Sequence, residues 1–316
     1  MQRTIHVIAN PAAGQGTFDV KELNRQCLQA EVDWEVRFTK QWGDGRRYAR
    51  EAVDAGVDLV AVYGGDGTVA EVAGGLAGTQ IPLGILPGGT ANVMSVELDI
   101  PTSFADALRL ICRPRPATRD IDLGKVGDNY FLLRLSMGLE AKMVAGADRE
   151  LKDRLGTLAY ALSALRAISA PEVVAYRFEL DGETVETEGI ACMIANSANL
   201  GAPGLQLSAD VDVSDGLLDV FVVKNADFST WLTVLSSVVT SLPDTLVAEP
   251  VRHGAEIESE MAAGVRHWQA RSIRVEAAPN VEVQVDGEMI GETPVEVDVL
   301  PGAVRVIVTE TEGDNG

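Results

Sequence analysis

The sequence predicts two domains, an α/β domain with a parallel sheet followed by an antiparallel β-sandwich. Three observations lead to this prediction. The chain has 316 residues, which is long for one compact core. Its first third alternates short apolar runs with segments of helical spacing, and the remainder consists mainly of alternating or β-branched runs. Apolar residues make up 46% and charged residues 23%, which is typical of a globular protein.

The first domain is predicted to contain four strands and three helices. The strands are residues 5–9, 34–38, 59–63 and 83–86. Helical spacing follows the first three strands, with apolar positions at Val20, Leu23 and Cys27, then Ala49, Ala52 and Val53, then Val69, Val72, Ala73 and Leu76. Gly56 is expected to end the second helix. Strands that alternate with helices in this way predict a parallel sheet.

A change of pattern marks the predicted domain boundary. Residues 113–116 read Arg-Pro-Arg-Pro, and two prolines in a charged segment cannot continue a helix. We place the boundary close to Ile121. Residues 1–121 form the first domain and residues 122–301 the second, and the C-terminal segment 302–316 can pack back against the first domain. Further strands are predicted at 130–135, 176–180, 190–195, 217–223, 272–275, 281–285 and 295–299, and helices at 144–168 and 231–242.

The formal net charge of −21 excludes one class of partner. Such a charge repels nucleic acid, so no nucleic-acid binding is expected. The N-terminus has neither the apolar block nor the cleavage site of a signal peptide, and no apolar stretch reaches the roughly 20 residues of a spanning helix. We therefore expect a cytoplasmic protein. Its cysteines and histidines lack the spacing of a disulfide frame or a zinc site.

Three glycine-rich turns each follow a predicted strand and precede a helix. They read Asn-Pro-Ala-Ala-Gly-Gln-Gly at 10–16, Gly-Gly-Asp-Gly-Thr at 64–68 and Pro-Gly-Gly-Thr-Ala-Asn at 87–92. In a parallel sheet such turns meet at the carboxyl edge, where backbone N–H groups and helix N-termini bind phosphate. Taken singly, each is a simple strand-to-helix turn, but three in succession favour a nucleotide site. The Walker lysine motif and the dinucleotide G-x-G-x-x-G are both missing from the required place.

In this order and spacing, the turns resemble the catalytic domain of the diacylglycerol kinase family, which includes bacterial soluble lipid kinases and is related to sphingosine and ceramide kinases. The resemblance continues through Asp-Leu-Gly at 122–124, Ser-Met-Gly at 136–138, Asp-Gly-Leu-Leu-Asp at 215–219 and Asp-Gly-Glu at 286–288, and so covers most of the chain. Residues 91–93, where diacylglycerol kinases commonly continue Gly-Asn-Asp-Phe, and Glu140, where aspartate is frequent, depart from the pattern. The resemblance therefore does not identify the lipid.

The resemblance implies that ATP is the phosphoryl donor and Mg²⁺ the cofactor of a nucleotide-binding first domain. The residues implied to bind the nucleotide are Asn10, Pro11, Ala12, Ala13, Gly14, Thr39, Gly64, Gly65, Asp66, Gly67, Thr68, Glu71 and Thr90. Asp66 is implied to act through Mg²⁺, which proteins hold with one or two carboxylates and phosphate oxygens. Alternatively, the negative charge of Asp66 interacts favourably with the helix dipole at the N-terminus of the following helix. Glu71 has an alternative role in a capping box with Thr68.

The second domain is implied to contribute a metal site and a catalytic group. Asp215 resembles the ligand of a second Mg²⁺ in bacterial members, with the carbonyl oxygens of Asp212 and Leu217, although an Asp-Gly turn also explains it. Asp286 is the implied general base for the lipid hydroxyl, with Glu288 beside it. The pattern alone, an alternating strand followed by Asp-Gly and a second strand, indicates a hairpin turn.

The resemblance thus predicts an ATP-dependent lipid kinase that phosphorylates a hydroxyl of a diacylglycerol-like or sphingoid-like lipid. Its partners would be ATP and a lipid presented by a membrane, which the enzyme meets peripherally, and a homodimer is compatible with the sequence. Two alternatives stay open. One is a NAD kinase-like nucleotide kinase with the same Gly-Gly-Asp-Gly motif, and the other is a lipid-binding relative without turnover. The joint presence of Asp66, Asp286 and Glu288 argues against the second alternative.

Overall fold

The computed structural model describes residues 3–13, 18–138, 172–199, 211–224 and 264–310, which form two sheets. Four features of the sequence analysis lie outside the described residues, namely the helices at 144–168 and 231–242, Gly14 and Glu140. Within the described ranges, every helix is too short or too polar to cross a membrane.

The first half of the chain forms the predicted parallel sheet. Its strands are β1 Arg3–Ala9, β2 Val32–Phe38, β3 Leu59–Gly64 and β4 Leu83–Pro87, in the spatial order β2-β1-β3-β4. All three neighbouring pairs are parallel. Every residue of β3 and β4 is buried, as expected for central strands of a parallel sheet that is covered on both faces.

Five helices accompany this sheet in the described part of the chain. They are α1 Val20–Gln29, α2 Asp44–Asp54, α3 Asp66–Leu76, α4 Val93–Glu97 and α5 Phe104–Ile111. The first three confirm the predicted helices, and Gly56, with a φ of 68°, follows the last turn of α2. Helices α2 and α3 cross closely, because a Cβ atom on Gly75 would lie 2.5 Å from the Cβ of Ala49. Val20 is 45% exposed, since it is the first residue of α1.

The second half is a β-sandwich, as predicted. Its strands are β5 Ala117–Val126, β6 Asn129–Phe131, β7 Arg134–Gly138, β8 Val174–Leu180, β9 Glu183–Gly189, β10 Ala191–Ala195, β11 Leu218–Val223, β12 Val265–Ala270, β13 Ser272–Ala278, β14 Glu282–Val285, β15 Glu288–Glu292 and β16 Val295–Val308. Six of them form an antiparallel sheet in the order β12-β11-β10-β7-β14-β15, and the others extend the parallel sheet. Phe178, Val220 and Val283 are among the buried side chains of the apolar core that these strands share.

Strand β16 joins the two halves of the molecule. It pairs antiparallel with β13 and β5, and its Val306 pairs in parallel with Leu83 of β4. Strand β5 runs across the predicted domain boundary and pairs with β16 on both sides of it. The carboxylate of Asp122 accepts hydrogen bonds from the N–H groups of Gly216 and Gly302, each at 2.7 Å. The two halves are therefore continuous through one ten-stranded sheet.

One predicted strand is divided in two, which corrects the sequence analysis. The apolar run predicts a single strand at 130–135, but β6 ends at Phe131 and β7 begins at Arg134. The N–H groups of Leu132 and Leu133 donate to carboxylate oxygens of Asp286, at 2.9 and 3.1 Å, and not to a neighbouring strand. The interruption thus has a side-chain cause that apolar periodicity does not reveal.

Candidate active site

The glycine-rich loops after β1, β3 and β4 meet at the carboxyl edge of the parallel sheet. Nδ2 of Asn10 donates a hydrogen bond to Oγ1 of Thr68 at 3.0 Å, which links the first loop to the second. The second and third loops touch through their backbones, because a Cβ atom on Gly89 would lie 2.5 Å from the Cα of Gly65. Only a residue without a Cβ permits that approach. The loops therefore form one contiguous surface.

Asn10 also shapes the first loop. Its Oδ1 accepts the N–H of Ala12 at 2.9 Å, which makes an Asx turn. Pro11 and Ala12 are exposed in this turn, and Ala13 is buried. Thr39 lies beside it, since its N–H donates to the last carbonyl of β1 at 2.9 Å. The structure thus brings these predicted nucleotide-binding residues to the same edge of the sheet.

Asp66 is the first residue of α3 and connects that helix to the third loop. Its Oδ1 accepts the N–H of Met94 at 3.2 Å, at the start of α4. Burial raises the pKa of the Asp66 carboxyl, and hydrogen bonds from the N–H groups of Val93 and Met94 oppose the increase. Thr90 lies exposed in the same third loop. A half-buried carboxylate thus stands where the second and third loops adjoin.

Glu71 does not form the predicted capping box, which is a second correction. Its Oε2 accepts the N–H groups of Gly43 and Gly45, each at 2.9 Å, at the N-terminus of α2. Thr68 lies inside α3, whose N-cap is Gly65, so the geometry of a capping box is not available. Burial raises the pKa of Glu71. The side chain therefore ties α3 to α2, and its contact with nucleotide stays a prediction.

Asp286 occupies the hairpin turn between β14 and β15. It has a φ of 45° and Gly287 one of 92°, so the Asp-Gly turn that the pattern predicts is present. Backbone amides surround the carboxylate: Oδ2 accepts from Leu132 at 2.9 Å, and Oδ1 accepts from Leu133 and Arg134 at 3.1 and 2.9 Å. Burial nevertheless raises the pKa of Asp286 to about 6. Both of its oxygens thus have structural partners.

Glu288 is the first residue of β15, and it is exposed. It lines a cavity of about 90 Å³ that also contacts Trp42, Arg46, Glu71 and Tyr130. The Arg46 guanidinium lies 4.7 Å from the centre of the Tyr130 ring. The cavity therefore places Glu288, from the second half, beside the start of α2 and beside α3, the helix that follows the second glycine-rich loop. A larger cavity, of about 530 Å³, lies between β9 and β12 and contacts none of the predicted site residues.

Arg134 lies close to the site, and the sequence analysis did not single it out. Its N–H donates to the Asp286 carboxylate, and its carbonyl accepts the N–H of Asp286 at 3.0 Å. Its positive charge also lowers the pKa of both Asp66 and Asp286, against the larger effect of burial. The backbone of Arg134 is therefore tied to the Asp286 turn. The only signal in the sequence is an arginine within an otherwise apolar run.

The residues predicted to hold a second Mg²⁺ form a turn. Oδ1 of Asp215 accepts the N–H of Leu217 at 2.9 Å, as in an Asx turn. Burial raises the pKa of Asp215, and the charges of Asp122 and Asp212 add to the increase. Asp212 itself pairs with Arg119. Across the described ranges, no three His, Cys, Asp or Glu side chains are grouped to hold a metal ion, so a cation here would depend on backbone carbonyls and water.

Comparisons with known proteins cover both halves of the chain. Residues 4–126 match the diacylglycerol kinase catalytic domain, and residues 134–308 match the YegS C-terminal NAD kinase beta sandwich-like domain. An uncharacterized protein of Synechocystis is 35% identical over 96% of this chain and 70% of its own length. A probable lipid kinase YegS-like of Alcanivorax borkumensis is 28% identical over 91% of this chain and 93% of its own. The crystal structure of a diacylglycerol kinase from Bacillus anthracis matches with a TM-score of 0.73 and 30% identity, over 97% of each chain.

Proposed function

Because the chain belongs to the family of lipid kinase-like proteins that join a diacylglycerol kinase catalytic domain to a YegS-type C-terminal domain, we propose that it is an ATP-dependent lipid kinase. It transfers the γ-phosphoryl group of ATP to a hydroxyl of a diacylglycerol-like or sphingoid-like lipid. The names of the relatives support a lipid as acceptor. The nature of that lipid and the use of ATP are parts of the proposal.

One observation carries this proposal: three backbone-rich loops meet beside Asp66, and Glu288 of the second half borders α3, the helix that Asp66 begins. The loops contact one another through Asn10, Gly65 and Gly89. Asp66 begins α3 among them, and Glu288 faces α2 and α3 from the second half. Phosphoryl transfer requires positioning, neutralisation of charge and a group that receives the hydroxyl proton. The arrangement offers a candidate for each requirement.

Asp66 is the residue proposed to hold Mg²⁺. Burial raises the pKa of its carboxyl, which means that its negative charge is incompletely compensated by the surrounding protein. A cation would supply that compensation, and Mg²⁺ bound with the nucleotide would neutralise charge on the phosphate oxygens. Asp215, with the carbonyls of Asp212 and Leu217, is proposed to hold a second cation in a structural role, since burial and, to a smaller extent, the charges of Asp122 and Asp212 raise its pKa.

The two carboxylates of the Asp-Gly-Glu hairpin are assigned different roles. Both oxygens of Asp286 accept N–H groups of residues 132–134, which fix this carboxylate in the hairpin turn. Glu288 is exposed and borders the cavity against α2 and α3. Glu288 is therefore the better candidate for the base that receives the hydroxyl proton, and Asp286 positions it. The resemblance to the diacylglycerol kinase family instead implied that Asp286 is the base.

The acceptor is proposed to reach the site from a membrane surface, with the enzyme in the cytoplasm. A net charge of −21 opposes general attraction to anionic lipid, so the contact has to be local or apolar. The same charge disfavours nucleic acid as a partner.

The proposal is tested with purified protein, ATP and mixed micelles. Diacylglycerol, phosphatidylglycerol, sphingosine and ceramide are offered separately, and ADP formation is followed in a coupled assay. We expect lipid-dependent ADP release with at least one of them and little release with NAD. Phosphorylation of NAD without any lipid would instead support the nucleotide kinase alternative. ATP binding without transfer to any acceptor would support the alternative without turnover.

A further inference from the structure

We propose that Trp42 binds the acceptor lipid, by packing its indole ring against the part of the lipid next to the reacting hydroxyl. This role rests on the proposed lipid kinase function and adds to it a residue that positions the acceptor. Trp42 is 55% exposed, although tryptophan is highly buried on average in folded proteins. Tryptophan is enriched at binding interfaces, because its large apolar ring gains contact area at a small cost in conformational entropy.

The loop that carries Trp42 is held in place by two carboxylates. Oδ2 of Asp44 accepts the N–H groups of residues 40–41, just before Trp42, at 2.9 and 3.2 Å. Oε2 of Glu71 accepts the N–H of Gly43, just after it, at 2.9 Å. The backbone on both sides of Trp42 is therefore fixed, and the exposed ring projects from an anchored loop.

The indole ring lies beside the second glycine-rich loop. A Cβ atom on Gly67 would lie 3.9 Å from Cζ3 of Trp42, which is ordinary van der Waals contact. Gly67 directly follows Asp66, the residue proposed to hold Mg²⁺, at the start of α3. The side chain of Trp42, and not only its backbone, is thus located next to the proposed donor site.

Trp42 and Glu288 border the same cavity, which has a volume of about 90 Å³. A base has to lie within about 3 Å of the hydroxyl whose proton it accepts, so the hydroxyl-bearing end of the acceptor is placed in this cavity. Sites that enclose a whole small ligand have roughly 300–1,000 Å³. Only the head of the lipid therefore enters, and its apolar chains leave the cavity along the exposed ring of Trp42.

The opposite wall of the cavity is fixed by contacts between the two halves. The Arg46 guanidinium lies 4.7 Å from the centre of the Tyr130 ring, and its Nη1 donates to the carbonyl of Asp128 at 2.5 Å. Arg46 belongs to α2, whereas Asp128 and Tyr130 belong to the second half. A cavity whose walls are already ordered does not have to be ordered by the ligand, so its contacts contribute more fully to affinity.

The adenine base of ATP is the other candidate for an exposed ring beside the nucleotide loops. Aromatic rings stack readily on bases, so the exposure of Trp42 alone does not separate the two ligands. The cavity that Trp42 shares with Glu288 favours the lipid, because the base of the nucleotide takes no part in proton transfer. The experiment below distinguishes the two ligands.

The test compares Trp42→Ala and Trp42→Phe with wild type. Leu28→Ala is the control, because Leu28 is an apolar residue of α1 that is 69% exposed. We expect Trp42→Ala to raise the KM for the phosphorylated lipid in mixed micelles at least about tenfold, with kcat and the Kd for ATP within about threefold of wild type. Phenylalanine should restore most of the lipid affinity, since it keeps an aromatic face, and Leu28→Ala should match wild type.

A second readout needs no turnover. Analogues of diacylglycerol, phosphatidylglycerol, sphingosine and ceramide that carry bromine next to the head group quench the fluorescence of a tryptophan that they contact. The chain has four tryptophans, and the difference between wild type and Trp42→Phe isolates the signal of Trp42. We expect at least one analogue to quench wild type, and this quenching should be lost in Trp42→Phe.

The inference is overturned if folded Trp42→Ala keeps the KM for lipid within about threefold of wild type, or if no analogue quenches Trp42. A Kd for ATP that rises tenfold or so with an unchanged KM for lipid would also overturn it, and would assign the ring to adenine. Melting curves identify a variant that fails to fold, and Trp42→Leu then replaces Trp42→Ala. A wild-type protein that binds ATP but phosphorylates no lipid would instead contradict the proposed function, and Trp42 would be judged on the quenching alone.

Discussion

Asp286 and Arg134 are joined by two hydrogen bonds between β14 and β7. The N–H of Asp286 donates to the Arg134 carbonyl at 3.0 Å, and the N–H of Arg134 donates to the Asp286 carboxylate at 2.9 Å. The same carboxylate accepts the N–H groups of Leu132 and Leu133. One aspartate thus sets the position of the hairpin that carries Glu288 and of the strand that carries Arg134.

The first prediction concerns the stability that this contact provides. Asparagine fits an Asp-Gly turn, but Asp286→Asn replaces one acceptor oxygen by an NH₂ donor, which leaves at least one N–H group of the 132–134 segment unsatisfied. We expect a loss of about 2 kcal/mol in the free energy of unfolding, measured with urea. Asp298→Asn, at an exposed position of β16, is the matched control and should change little. Equal stabilities of the two variants would contradict the structural role.

The second prediction concerns pH. Burial raises the pKa of Asp286 to about 6, so the folded protein takes up this proton at a higher pH than the unfolded chain does. The contribution to the free energy of unfolding is therefore greatest below the ordinary aspartate pKa of about 4 and decreases as the pH rises to about 6, by at most about 3 kcal/mol. In urea denaturation at a series of pH values, the free energy of unfolding of wild type should fall relative to that of Asp286→Asn as the pH rises from 4 to 6. A constant difference between the two proteins from pH 4 to pH 7 would argue against a buried, titrating carboxyl.

The third prediction concerns the contact between the second and third glycine loops. A Cβ atom at residue 89 would lie 2.5 Å from the Cα of Gly65, so Gly89→Ala has to separate the two loops. We expect the affinity for ATP to fall at least about tenfold, or about 1.4 kcal/mol, in calorimetry. Gly264→Ala is the control, because a Cβ there meets no described atom within 4 Å. An unchanged Kd for ATP in a folded Gly89→Ala protein would show that this contact does not contribute to nucleotide binding.

The fourth prediction concerns the proposed structural cation at Asp215. Asp215→Asn keeps an oxygen that accepts the N–H of Leu217 but removes the negative charge that the nearby Asp122 and Asp212 disfavour. We expect wild type to gain several degrees in Tm when Mg²⁺ is added after EDTA treatment, since a ligand at 100 times its Kd stabilises by about 2.7 kcal/mol. The variant should lose this gain. If both proteins respond equally to Mg²⁺, Asp215 is a turn residue only.

The sequence predicted most elements of the fold, because apolar periodicity reports burial directly. Strands β1 to β4 and helices α1 to α3 follow from it. It did not predict helices α4 and α5 or strands β5, β9 and β12. It also missed the division between β6 and β7, which depends on the distant side chain of Asp286. The capping-box role of Glu71 was wrong for a similar reason. The N–H groups that donate to its carboxylate lie at the start of another helix. Local patterns do not encode such long-range hydrogen bonds.

For the site, the sequence identified the loops but not the contacts between them. The resemblance to a known family selected Asp66, Asp286 and Glu288, whereas Arg134 had no motif to mark it. The groups that surround these residues belong to strands that are far apart in the chain. Only the three-dimensional arrangement shows that backbone N–H groups donate to the Asp286 carboxylate, whereas the Glu288 side chain is exposed.

The fifth and most direct test follows radiolabel from γ-labelled ATP in wild type and Glu288→Gln, after extraction into organic solvent. We expect wild type to transfer label to lipid in the organic phase. Glu288→Gln should transfer label about 10² to 10⁴ times more slowly, with the Kd for ATP nearly unchanged, because only the proton acceptor is lost. Label that stays in the aqueous phase for wild type, or a Glu288→Gln variant within about threefold of wild type, would contradict the account.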